Sequence, residues 1–154
     1  MERFMDQKFT PTPKEPEPVA TDAVPAVDTK KPVADNGKMV LIVEDERPLS
    51  HALEMKLRHQ GFGTKVVTNG QDAIKELKET TYHLVLLDLI MPVMDGFAVL
   101  EEMQNQKLKV PVIVLSNLGQ EEDRAKTKSL GAVDYFVKSN TPIADILHRV
   151  QEAL

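Results

Sequence analysis

Tyr82-His83-Leu84-Val85-Leu86-Leu87-Asp88 passes from nearly unbroken apolar chain to a single carboxylate. A run of this kind over 82–87 reads as a strand buried on both faces, as parallel strands between two layers of helix are. The same design recurs on either side of it. Met39-Val40-Leu41-Ile42-Val43 runs into Glu44-Asp45, Val112-Ile113-Val114-Leu115 into Ser116, and Tyr135-Phe136-Val137 into Lys138. A fifth run, over 64–68 around Val66-Val67, ends in Thr68 and carries no evident chemistry. If these runs are parallel strands, their carboxyl ends share one sheet edge. Carboxylates, a hydroxyl and an ammonium then meet in one crevice.

Helical spacing fills the intervals. Leu49, Ala52, Leu53, Lys56, Leu57 and Gln60 follow the first strand at helical intervals, with Pro48 suited to a first turn and Gly61 to a stop. Ala73, Ile74 and Leu77 mark a second helix. Asp95 is placed to cap a third, carrying Phe97, Val99, Leu100 and Met103. A polar helix is expected over 120–130, ended by Gly131, and then a strand over 133–137. Ile143, Ile146, Leu147, Val150 and Leu154 give a last helix its apolar stripe. Alternating strands and helices imply an α/β fold, a doubly wound five-stranded parallel sheet with helices on both faces. Periodicity does not choose between the two common strand orders, but in both a ligand binds beyond the strand ends where the order reverses.

Composition bounds the rest. Residues 1–37 hold six of the ten prolines, at 11, 13, 16, 18, 25 and 32, among Glu, Asp, Lys, Thr and Ala. Proline removes amide donors and too little apolar surface remains to offset ordering, so this segment reads as a disordered Pro-rich tail and 38–154 as the folded domain. The absence of cysteine excludes disulfides and thiolate metal sites, and makes a reducing cytoplasmic setting the default. A net charge of -5 disfavours direct nucleic-acid binding. No apolar run approaches the about 20 residues of a membrane helix. The first residues, with Glu2, Arg3, Asp6 and Lys8, do not read as a secretory signal.

Three carboxylates in one crevice constrain its chemistry. At about 4 Å and an effective dielectric of about 20, each ionised pair repels by about 4 kcal/mol. Glu44, Asp45 and Asp88 therefore need a proton or a cation between them, and an oxygen-only set with waters suits Mg²⁺. Lys138 can hold a phosphate oxygen as a point charge and Ser116 can donate to another. Asp88 then has the makings of a nucleophile that forms an acyl phosphate. Each residue alone is ordinary: a solvated Glu-Asp pair, a turn aspartate, a strand-ending hydroxyl, a surface lysine. Only their joint appearance at the ends of four strands argues for a site. His51, His59, His83 and His148 lack metal-ligand spacing.

Leu41-Ile42-Val43-Glu44-Asp45-Glu46, the run from Leu86 through Asp88 to Met94-Asp95-Gly96, Val114-Leu115-Ser116, and Gly131-Ala132-Val133-Asp134-Tyr135-Phe136-Val137-Lys138 resemble the receiver domain of two-component response regulators. The resemblance covers about 38–154 and implies the flavodoxin-like strand order 2-1-3-4-5, an order for which a receiver is itself a standard example. It further implies that Asp88 is the phosphoacceptor and that Glu44, Asp45, Asp88 and the backbone carbonyl of Ile90 hold Mg²⁺. Lys138 and Ser116 would contact the phosphoryl group, and Tyr135 would turn inward as a switch. The implied donor is a phosphohistidine on a sensor histidine kinase or phosphotransfer protein. The output would pass to a protein partner, by a stand-alone receiver without a fused output domain or membrane contact. The protein would be a phosphoacceptor and not a turnover enzyme, a monomer or a phosphorylation-dependent dimer.

Three residues depart from the family pattern. Glu44 stands where Asp is common, Asn117 where a small residue follows the hydroxyl, and Ser139 where proline, often cis, follows the lysine. A cis bond before a non-proline residue costs about 3–4 kcal/mol, so a trans peptide and a differently placed loop are expected after Lys138. These departures motivate a second reading, a receiver-fold binding module that signals without phosphorylation. A phosphatase of the haloacid-dehalogenase kind is a third, but it wants a second acid two residues after the nucleophile, where Ile90 stands.

Overall fold

A computed structural model describes residues 36–154. The proposed tail, all but Asn36 and Gly37, lies outside the described residues. From there strands and helices alternate: β1 (Met39–Val43), α1 (Arg47–His59), β2 (Gly63–Val67), α2 (Gly70–Glu79), β3 (Leu84–Asp88), α3 (Gly96–Asn105), β4 (Val112–Ser116), α4 (Glu121–Ser129), β5 (Asp134–Val137) and α5 (Ile143–Ala153). The five strands form one sheet in the order β2-β1-β3-β4-β5, every neighbouring pair parallel. This is the flavodoxin-like order.

Strand side chains alternate between faces, and each face of the sheet has its own core. Leu41, Val43, Val85, Leu87, Val112 and Val114 pack against Ala73, Ile74 and Leu77 of α2 and Val99, Leu100 and Met103 of α3. Val40, Ile42, Leu84, Leu86, Ile113 and Leu115 pack against Leu53 and Leu57 of α1 and Ile146, Leu147 and Val150 of α5. Central strands covered on both sides have no polar face, which is why β1, β3 and β4 read as continuous apolar runs. Thr127 is the only buried residue of α4, as its polar sequence implies.

Element boundaries moved where side chains found other partners. β3 starts at Leu84, two residues later than expected. Tyr82 leaves the strand line and donates its hydroxyl to Glu76 Oε1 at 2.6 Å. His83 Nδ1 accepts the Met39 N–H at 3.0 Å. At the other end β3 takes in Asp88, which pairs in register with Leu115. β5 begins at Asp134 because Val133, half exposed, contributes only its N–H, to the Val112 carbonyl. Gln120 and Leu130 flank α4 as caps and are not part of it.

Two helix starts are capped by short polar side chains. Asp95 caps α3 as expected, its Oδ1 accepting the Ala98 N–H at 2.9 Å. Gly96 lets α3 approach closely, since a Cβ there would lie 2.4 Å from the Asp88 carbonyl oxygen. Asn69 caps α2 in the same manner, through the Asp72 N–H.

Candidate functional site

The register brings the strand ends to one level. Val43 pairs with Leu87, Asp88 with Leu115, and Ser116 with Val137. One residue beyond each pair stand Glu44, Ser116 and Lys138, ranged around Asp88. β2 and β3 leave β1 on opposite sides, so the crevice above β1 and β3 is the topological switch point.

Glu44 and Asp88 are almost completely buried, at 2% and 4% exposure, whereas Asp45 faces solvent. Each of the three offers a carboxylate oxygen, and the three oxygens lie within 4.8 Å of one another. Such a hard, all-oxygen set fits a Mg²⁺-like cation and no thiolate or imidazole metal. Two backbone amides fix the buried acids: Glu46 N–H donates to Glu44 Oε1 at 3.0 Å and Ile90 N–H to Asp88 Oδ1 at 3.3 Å.

Lys138 reaches the centre of this group. Its Nζ lies 2.8 Å from Glu44 Oε2, 3.2 Å from Asp88 Oδ2 and 2.9 Å from Glu46 Oε1. An ammonium has three donors, and all three are taken by carboxylates. The loop after β5 is a single 3₁₀ turn, Lys138–Asn140, and the Lys138–Ser139 peptide is trans as expected. The absent proline has not moved the lysine away. Glu46 is not among the residues that the sequence singles out. An acid at a helix start ordinarily reads as a partner for that helix, and nothing local points to a lysine 92 residues away.

The charges press on one another. Burial pushes the Glu44 carboxyl up to about 7, against the hydrogen bonds from Lys138 and the Glu46 N–H, and the nearby Asp88 adds to the rise. Burial likewise holds the Asp88 carboxyl above the usual carboxylate range, although Lys138 opposes it. Burial alone would lower the Lys138 pKa. The bonds to Glu44 and Glu46 and the charge of Asp88 outweigh it and hold the ammonium above the ordinary lysine value.

Ser116 and Tyr135 form a second group beside the first. Ser116 is fully buried, and its Oγ accepts the Leu118 N–H at 3.2 Å. Tyr135 is buried as well, its hydroxyl donating to the Leu118 carbonyl. The Arg124 guanidinium of α4 lies 4.8 Å from the centre of the Tyr135 ring. Leu118 thus joins the strand-ending hydroxyl to the inward tyrosine. Ile90 turns its N–H to Asp88 and exposes its side chain, as does Val93 in the same loop. Asn117 and Ser139 are exposed. No described helix is long and apolar enough to cross a membrane.

Comparison with known proteins agrees with this fold. Residues 40–151 match the response regulator receiver domain. The transcriptional regulatory protein SrrA of Staphylococcus aureus is 36% identical over 115 residues, which are 75% of this chain and 47% of SrrA. The chain spans about half the length of the curated relatives it matches. Among solved structures, the receiver domain of the Francisella response regulator 1452 superimposes with a TM-score of 0.72 at 26% identity, covering 76% of this chain and 96% of that one. TrrA of Thermotoga maritima, a response regulator solved in complex with Mg²⁺ and beryllofluoride, gives 0.66 at 29% identity, covering 76% and 99%. A match across most of the folded chain, in a sheet of the same order, places this protein in the response regulator receiver domain family of two-component systems.

Proposed function

We propose that the protein is a phosphorylation-switched signalling module that accepts a phosphoryl group on Asp88 from a phosphohistidine of a sensor histidine kinase or phosphotransfer protein. The observation that carries this reading is the convergence of buried Asp88 and Glu44 on one ammonium, at 3.2 and 2.8 Å from Lys138 Nζ. In the transfer, an Asp88 carboxylate oxygen forms a bond to phosphorus as the bond from phosphorus to the donor imidazole nitrogen breaks, and the imidazole leaves and takes up a proton. Asp88 serves as nucleophile because its oxygens sit at the crevice floor, one of them oriented by the Ile90 N–H.

Glu44, Asp45 and Asp88 fit Mg²⁺, and the Ile90 carbonyl would be a further ligand. The cation would neutralise charge on the transferred group. Lys138 then exchanges its bond to the Asp88 carboxylate for one to a phosphoryl oxygen, as a point charge. Ser116 gives up its bond with the Leu118 N–H and donates its hydroxyl to another phosphoryl oxygen. Loss of that bond frees Leu118, whose carbonyl holds the Tyr135 hydroxyl. The change at Asp88 is thereby passed to β5 and α4, where a protein partner reads the shifted population. The module turns over one phosphoryl group at a time and is not a conventional enzyme.

Incubation with Mg²⁺ and acetyl phosphate, followed by intact mass analysis, tests the assignment. One phosphoryl adduct is expected on the wild type and none on Asp88→Asn. The same adduct on both would defeat it.

A further inference from the structure

Glu46 occupies the N-cap of α1, where a short side chain ordinarily accepts a hydrogen bond from the first helical turn. Its side chain makes no such bond. The carboxylate instead extends to Lys138, with Oε1 2.9 Å from Nζ. The backbone N–H of the same residue donates to Glu44 Oε1. Glu46 is therefore tied to the pocket through both main chain and side chain, while its side chain remains more than half exposed at the rim.

Lys138 has three carboxylate partners, and two of them have other work. Asp88 is the proposed acceptor, and Glu44 and Asp88 both belong to the acids gathered for a cation. Glu46 stands outside that set. A dication on the same carboxylates repels a nearby ammonium, and a lysine on a flexible four-carbon stem can escape to water. Among the described residues, Glu46 is the one partner of Lys138 free to supply countercharge on the solvent side.

We propose that Glu46 is a positioning residue for phosphoryl transfer, its carboxylate holding the Lys138 ammonium at the pocket mouth, facing Asp88, when Glu44 and Asp88 are engaged elsewhere. The inference rests on Asp88 being the phosphoacceptor. It assigns to the N-cap of α1 a part in the reaction in place of the ordinary capping role.

Titration of beryllofluoride in saturating Mg²⁺ against wild type, Glu46→Gln, Lys138→Met and the double variant tests it. Glu46→Gln keeps the side-chain size and removes the charge. Beryllofluoride binding should weaken about three- to fivefold, the scale of a half-exposed ion pair, and the change should vanish in the Lys138→Met background. Glu46→Ser separates positioning from helix stability: serine caps α1, so the melting temperature should hold or rise while beryllofluoride affinity falls. With Mg²⁺ and beryllofluoride bound, the Lys138 ammonium signal in ¹⁵N NMR should be protected from exchange in wild type and lost in Glu46→Gln, whereas in metal-free protein Glu44 and Asp88 should retain it in both. Unchanged or tighter beryllofluoride binding by Glu46→Gln, or an equal loss without Lys138, would overturn the inference and leave the phosphoacceptor reading intact. Failure of wild type to bind beryllofluoride with Mg²⁺ would overturn both.

Discussion

Replacing Asp88 by asparagine removes the functional carboxylate, yet without a cation it should stabilise the fold. Wherever both Glu44 and Asp88 are ionised, their oxygens face each other within 4.8 Å. At an effective dielectric of about 20 their repulsion is about 3.5 kcal/mol. Asp45 adds a smaller, solvent-screened term. Against this, the variant loses the attraction between Asp88 and Lys138, 3.2 Å apart, which on the same scale is about 5 kcal/mol. Lys138 keeps Glu44 and Glu46 as partners. The pair energies leave about 1.5 kcal/mol against the variant, less the Asp45 term, and the cost of holding a buried charge has to outweigh that remainder to set the sign. That cost is the largest influence on the Asp88 carboxyl, whose pKa it raises, and the neutral amide avoids most of it. The expected gain is about 1–2 kcal/mol. For a folded unit of this size that is a rise of about 3–10 °C in melting temperature. Thermal unfolding in chelator and in Mg²⁺ reads the effect. Mg²⁺ at about one hundred times its Kd adds about 2.7 kcal/mol to the wild type and far less to the variant, so the order of stabilities should reverse. A variant that melts lower in chelator, with the order unchanged by Mg²⁺, would refute the reasoning.

Other perturbations probe the same pocket. Because burial raises the Glu44 carboxyl to about 7, the folded state binds a proton that the unfolded chain has released between about pH 4.5 and 7. The Glu44 contribution to stability is thus present at low pH and lost as pH rises through 7. In chelator, wild type should lose stability relative to Glu44→Gln between pH 5 and 8, by on the order of 2–3 kcal/mol, as read by urea unfolding. Lys138→Met leaves two buried carboxylates without their counterion and should cost about 3–5 kcal/mol in chelator at pH 8, with added Mg²⁺ restoring a large part. Gly96→Ala would press a methyl against the Asp88 carbonyl oxygen, 2.4 Å away. It should destabilise by about 1–3 kcal/mol and weaken Mg²⁺ binding measured by calorimetry.

The fold was legible wherever one physical signal dominated. β1, β3 and β4 announce themselves because burial on both faces leaves no polar positions, and Asp95 announces α3 because a short acid satisfies orphan amides. Periodicity could not order the strands, since both common windings bury the same runs. The 2-1-3-4-5 order came from the resemblance of the segments around Asp88. Boundaries moved at Tyr82, whose hydroxyl finds Glu76 outside the strand, and at Val133, which keeps a single N–H bond to Val112 of β4. In the site, Glu44, Asp45, Asp88 and Lys138 were legible as strand-ending residues and do converge. Without a following proline a differently placed loop is expected after Lys138, yet three carboxylates draw the ammonium inward. Glu46 was not legible, because its partner follows β5, which has two strands between it and β1 in the sheet. The Ser116–Leu118–Tyr135 arrangement was half legible: hydroxyl and phenol are visible in sequence, but the backbone of Leu118 that joins them is not.

Heteronuclear NMR of the labelled protein, titrated with Mg²⁺ and then with beryllofluoride, tests the central claim most directly. If the strand ends form a single cation-dependent phosphoryl pocket, saturable shifts should begin at Asp45, Asp88 and Ile90 with Mg²⁺. With beryllofluoride they should then spread to Ser116, Leu118, Tyr135 and Lys138. Absence of saturable shifts at millimolar Mg²⁺, or beryllofluoride shifts that leave Ser116 and Lys138 untouched, would contradict it.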